Sequence, residues 1–205
     1  MVGLAAAPLA GCGGTGGAAT VGTTAGGSRF AVAEALPPGL AGRAAPRIRL
    51  ADARGGTFDT SALVRAGTPY LVTFLYARCP DVCPLIGAEL RDTLAHLGPD
   101  ARRVAVVAVS VDPRGDTPQT VRAWLAHERE PAQFHYLIGS QSQLAPVWRA
   151  WYASPQIPGD PQSAHTAIVW LVDARGQLTA KVSAGQPFDS AGLARDVRAL
   201  ASAGA

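Results

Sequence analysis

Apolar residues follow several different patterns along this chain. Residues 70–76, "YLVTFLY", and 103–111, "RVAVVAVSV", are nearly unbroken runs of β-forming residues. Runs this short, without polar alternation, predict strands buried on both faces. Between them Leu85, Ile86, Leu90, Leu94 and Leu97 recur at helical spacing, predicting a helix over Pro84–Leu97 that Gly98–Pro99 ends. Two buried strands with a helix between them form a βαβ unit, hence a parallel pair and an α/β fold.

The alternation continues toward the C-terminus. "DTPQTVRAWLAHERE" offers Thr117 as N-cap and Pro118 at the first helical position. "FHYLIG" reads as a short strand, and "QSQLAPVWRAWYA" as a helix bent at, or started from, Pro146. A hairpin follows, with arms Thr166–Val172 and Gln177–Ser183 about a turn at Asp173–Gly176. A last amphipathic helix spans Ser190–Ala201. Ahead of the βαβ unit, "RIRLADARGGTFDT" predicts two short strands about Gly55–Gly56. Trp124, Trp148, Trp151 and Trp170 fall on apolar positions and are expected in packing. A βαβ unit, a further helix, then a β-hairpin and helix is the thioredoxin-like order: a central mixed sheet flanked by helices.

Residues 1–45 lack this periodicity. Seven glycines lie between Gly13 and Gly27, too little apolar surface to offset chain entropy, so residues 12–45 read as a disordered, flexible tether. From Cys12 to Pro46 such a chain would reach roughly 30 Å. Leu9, Ala10 and Gly11 before Cys12 resemble a bacterial lipobox. Residues 1–11 would then be a signal remnant and Cys12 a lipidated anchor holding the domain, residues 46–205, at the outer face of the plasma membrane.

Composition narrows the function. The net charge of +3 is small and no cluster of basic residues occurs, which argues against nucleic acid as a partner. No apolar run of 18 or more residues exists, so no segment reads as a spanning helix. A monomer is the default expectation.

The candidate chemistry lies in "YARCPDVCPLIG". Cys79 leaves a buried strand and Cys83 enters the next helix, whose N-terminal N–H groups favour thiolates; lowered pKa values are expected for both. Four residues apart on a helical turn, their α-carbons stand roughly 6 Å apart, within reach of a disulfide. The same spacing lets both sulfurs converge on one metal ion, and two thiolates favour soft Cu(I). A purely structural bridge over so short a loop would restrict the unfolded chain little. A third donor would also accommodate Cu(II), and the candidates are His96, His127, His135 and His165. The first two read as exposed and His135 as half-buried in a strand, while His165 stands at the mouth of a strand after a Pro/Gly-rich loop.

"FLYARCPDVCP", "VSVDPRGDTPQTVRAW" and "SAHTAIVWLVDARG" together resemble the Sco/SenC family over about residues 46–203. These are thioredoxin-fold, membrane-anchored copper chaperones that assist assembly of the binuclear copper centre of cytochrome c oxidase. The resemblance implies that Cys79, Cys83 and His165 bind copper, as Cu(I) and also Cu(II). It implies that Asp81 tunes the site or its partner contacts. Many members carry histidine where this chain has Arg78, a guanidinium expected to favour both thiolates. The implied partners are the copper-receiving oxidase subunit and a thioredoxin-like reductant, since oxidised thiols cannot take copper. The alternative is a thiol–disulfide oxidoreductase with Cys79 as attacker and Cys83 as resolver. "VDPRGDTP" itself reads mainly as a connection, Asp112–Pro113 turning the chain and Thr117 capping the next helix.

Overall fold

A computed structural model describes Met1, residues 30–155 and residues 167–202. Its centre is the expected βαβ unit. Strands β4 (Tyr70–Leu75) and β5 (Ala105–Ser110) are buried at every position and pair in parallel, Tyr70 opposite Ala105 through Leu75 opposite Ser110. The apolar runs have no polar face because the sheet is covered on both sides.

One eight-stranded mixed sheet carries the fold, in the order β1-β8-β7-β4-β5-β6-β2-β3. The hairpin β2 (Arg49–Asp52) and β3 (Thr57–Asp59) forms one edge and β1 (Glu34–Ala35) the other. β6 (Phe134–Ile138) lies parallel to β5, whereas β7 (Ile168–Val172) and β8 (Leu178–Ser183) pair antiparallel beside β4.

Register fixes which helix covers which face. Thr73, Ala108 and Tyr136 are opposite one another on β4, β5 and β6, so they share a face, and Phe74 points to the other. Tyr136 packs against Trp124 of α3 (Pro118–His127), and Phe74 against Trp151, which follows α4 (Gln141–Ala150). α3 therefore lies on one face and α4 on the opposite one. α2 (Val82–Leu97) shares the α3 face, with Gly87 against the Trp124 ring, and packs along α5 (Ser190–Ser202). The short α1 (Thr60–Arg65) is capped by Asp59, whose carboxylate accepts from Ser61 N–H.

Thr117 caps α3 as its sequence announces: Thr120 N–H donates to Thr117 Oγ1 at 3.2 Å, and Thr117 N–H to Thr120 Oγ1 at 2.9 Å. α4 does not start at Pro146 but contains it in its interior. It starts at Gln141, where Gln143 Oε1 accepts the Ser140 N–H at 2.8 Å. This bond caps the helix a turn before the proline.

The domain also begins earlier than residue 46, which corrects the expected extent of the tether. Ala31, Val32 and Ala33 all donate backbone N–H groups to the buried carboxylate of Asp196 on α5, the last two at 2.8 and 2.9 Å. Glu34 and Ala35 pair with Lys181 and Ala180 of β8, and Ala33 and Leu36 are buried. The partners lie more than 140 residues away in sequence, so no local pattern announces the contact. Residues 12–29, with Cys12, lie outside the described residues, as does His165. Among the described residues no helix is long and apolar enough to cross a membrane.

Candidate metal centre

The chain leaves β4 at Leu75 and turns through residues 76–81 into α2. Both cysteines are buried, Cys79 at 6% exposure and Cys83 at 0%. α2 starts at Val82, two residues before the expected Pro84, so Cys83 lies inside its first turn.

How that turn is capped brings the sulfurs together. Asp81 occupies the N-cap position, but its side chain makes no capping bond. The N–H of Cys83, which a capping side chain would ordinarily receive, donates instead to Cys79 Sγ at 3.3 Å. Sulfur stands in for the capping oxygen, and the first cysteine is held against the helix N-terminus that carries the second.

The turn itself is gripped from across the sheet. Asp116, at 5% exposure, accepts hydrogen bonds from Ala77 N–H at 2.9 Å, Ser110 Oγ at 2.6 Å and Tyr136 Oη at 3.1 Å. The peptide whose N–H meets Asp116 also carries the Tyr76 carbonyl, which accepts from Cys79 N–H at 3.1 Å. One peptide plane is thus held at both ends, immediately before Cys79.

The electrostatics correct one expectation. The helix N-terminus does not lower the Cys83 pKa: burial pushes it well up, the Cys79 hydrogen bond and charge add to this, and a backbone hydrogen bond from Tyr76 opposes it only in part. Desolvation of a fully buried sulfur outweighs the favourable end of the helix. Burial likewise raises Tyr76, which also bonds Cys79, and Tyr136. Burial raises Asp116 to about 6 against the pull of its three donors, which leaves it ionised near neutral pH.

Arg78 and Asp81 are both exposed. The Arg78 guanidinium turns toward the β5–α3 loop. Its Nη2 lies 2.9 Å, and Asp112 Oδ2 2.0 Å, from the point where a side chain on Gly115 would begin. Asp112 in turn accepts from Gly115 N–H at 2.9 Å. Glycine at 115 leaves the room in which this arginine and carboxylate approach each other.

Of the histidines, His135 is engaged with Asp52 at 2.8 Å and stacks on Phe58 with centroids 4.1 Å apart. His127 is exposed beside Glu128. His96 is exposed at the far end of α2, thirteen residues beyond Cys83 and hence about 20 Å away. Among the described residues no group of three His, Cys, Asp or Glu side chains forms a metal cluster. Asp116 is the residue that sequence reasoning passed over. Its only signal was its place in "VDPRGDTP", where it reads as an ordinary turn residue.

A mixed sheet with a dithiol at the start of a helix after a central strand defines a thioredoxin-like domain. The SCO1/SenC family model matches residues 41–202, and the chain belongs to that family. A protein of Stutzerimonas stutzeri, provisionally named copper-binding, is 30% identical over 152 residues, 72% of each chain. The structure of Bradyrhizobium japonicum ScoI with copper bound is 28% identical, with a TM-score of 0.65 over 77% of this chain and 99% of that one. BsSco is described as a Sco-family cytochrome c oxidase assembly protein with a disulfide switch. It shares the fold at 20% identity, with a TM-score of 0.68 over 78% of this chain and 95% of that one.

Proposed function

We propose that this chain is a copper carrier in which Cys79 and Cys83 hold a Cu(I) ion as cargo. His165 completes the coordination and allows Cu(II) as well. The observation that carries this reading is the pair of buried cysteines held together at one helix N-terminus, Cys83 N–H on Cys79 Sγ. Two soft sulfur donors at that spacing suit Cu(I), and a neutral imidazole suits either oxidation state. The copper bound to the ScoI relative supports the same cargo. Delivery is by ligand exchange to the copper-receiving subunit of cytochrome c oxidase, from a domain tethered outside the plasma membrane through lipidated Cys12. Asp81, exposed beside the thiols, contacts the incoming partner.

The test is anaerobic Cu(I) binding to the reduced full chain against a competing chelator, with Cys79→Ser, Cys83→Ser and His165→Ala in parallel. One ion per chain, lost in both cysteine variants and weakened at least tenfold in His165→Ala, is the expected result. A wild type that cannot outcompete a weak chelator overturns the reading.

A second reading, reduction of the target's cysteines, is favoured by the asymmetry of the two sulfurs. Cys79 receives the helix N–H and is the less buried. In that role Cys79 thiolate attacks the partner disulfide and releases one partner thiol. Cys83 then displaces the second, forming Cys79–Cys83 and passing two electrons to the partner. A thioredoxin-like dithiol must return them. Thiol release from an oxidised oxidase-subunit peptide, lost in Cys79→Ser, checks it.

A further inference from the structure

We propose that Asp116 is a positioning residue for the dithiol: it fixes the peptide from which Cys79 is presented and thereby sets how closely the two sulfurs converge. The proposal deepens the copper reading above and rests on it for the metal.

The geometry is a short chain of contacts. Asp116 is buried, and its carboxylate meets donors from three separate places: Ala77 in the thiol turn, Ser110 at the end of β5, and Tyr136 on β6. Ser110 and Tyr136 belong to the most buried part of the sheet, both at 0% exposure, so they give the carboxylate a rigid mount. The third contact, to Ala77 N–H, transfers that rigidity to the turn. Because the Tyr76–Ala77 peptide is planar, fixing its N–H also fixes the Tyr76 carbonyl. That carbonyl receives Cys79 N–H, while Cys79 Sγ receives Cys83 N–H. Each step is one hydrogen bond, and nothing in the path is exposed side chain.

A turn held this way presents two sulfurs to either a metal ion or each other without first ordering the loop, and that ordering is what a mobile turn would lose on closing. Releasing Asp116 therefore weakens disulfide closure and copper retention together. Asp116 makes no hydrogen bond to either sulfur among the contacts above, so the contacts that link it to them run through the backbone, while its charge also reaches Cys83 through space.

The experiment uses the full chain with Asp116→Ala, Asp116→Asn and Tyr136→Phe. Three readouts are taken: the Cys79–Cys83 equilibrium against a glutathione redox buffer without metal, Cu(I) loss to a chelator, and the thermal midpoint. Asp116→Ala is expected to disfavour the disulfide by at least tenfold, about 30 mV for this two-electron couple, and to speed copper loss by a similar factor. Asp116→Asn, which keeps a weaker acceptor in place, is expected to shift both by at least threefold. Tyr136→Phe leaves the Ala77 contact intact, so it should lower the midpoint with less than a threefold shift in either.

A folded Asp116→Ala whose disulfide equilibrium moves less than tenfold overturns the proposal. So does Tyr136→Phe moving the thiols as far as the alanine variant, because packing alone would then account for the effect. Should Asp116→Ala fail to fold, Asp116→Asn decides, and a shift below threefold counts against the proposal. If the wild type retains no Cu(I), the copper reading falls, yet the metal-free equilibrium still tests Asp116.

Discussion

Two acids flank the cysteine helix on the same face of the sheet, and they have opposite surroundings. Asp116 stands at the helix start with three hydrogen-bond donors on its carboxylate. Glu130 lies beside Gly87 and Trp124, further along the helix, with neither carboxylate oxygen hydrogen-bonded. Both are buried to nearly the same degree, 5% and 7% exposed. Burial alone therefore does not decide the state of an acid; partners do. Burial raises Asp116 only to about 6, because its donors favour the charged form, whereas it raises Glu130 to about 8. Arg54 and Arg91 stand near Glu130 and pull its pKa down, with Glu128 and Asp92 opposing them. Yet each arginine spends a donor on a backbone carbonyl, of Glu130 and Glu128 respectively. At neutral pH one acid is a held anion that organises a turn, and the other is a neutral, packed side chain.

The contrast breaks most visibly at Asp116. Asp116→Ala removes an acceptor shared by three donors, two of them buried, and should lower folding stability by roughly 3 kcal/mol. Urea unfolding at pH 7 with an unchanged m-value would register this.

Glu130→Gln should act in the opposite direction and only at higher pH. Below the ordinary carboxyl value of 4.5 the side chain is neutral in both folded and unfolded chains. As pH rises toward 8 the unfolded chain releases its proton while the folded chain retains it, so stability falls across that window. Removing the titration should leave stability at pH 4.5 nearly unchanged and raise it progressively from there to pH 8. Unfolding curves across that range would show a flattened slope in the variant. An unchanged slope would mean that Glu130 is not held neutral.

Gly87→Ala sharpens the picture of the Glu130 side. A methyl there would meet Glu130 Oε1 and Trp124 Cη2, each at 2.9 Å. In a packed interface this should cost about 1–2 kcal/mol, measurable as a lower thermal midpoint with the dithiol equilibrium left alone. The smallest effect belongs to Tyr136→Phe, which removes one of the three donors on Asp116. It should cost about 1 kcal/mol, seen by the same unfolding measurement.

Much of this molecule is legible from local pattern. The two apolar runs specify β4 and β5, the helical period specifies α2, and Thr117–Pro118 announces α3, because each signal lies within a few residues of what it forms. Cys79 and Cys83 are legible for the same reason, since strand, turn and helix start are contiguous. The family resemblance seen in the residues is matched by the family model over 41–202. His165 remains a reading of the sequence.

What tertiary structure decided depends on distance along the chain. The segment from Phe30 joins the domain only because β8 and Asp196 wait for it at the other end of the sequence. The high pKa of Cys83 follows from enclosure by the packed fold, which overrides the helix end that the local sequence advertises. Asp116 reads as a turn residue until folding brings Ala77, 39 positions earlier, and Tyr136, 20 positions later, onto its carboxylate. The sequence by itself determined that two cysteines stand where a buried strand passes into a helix; the packed sheet decided how they are held, because a hydrogen bond across strands has no signature in the residues between them.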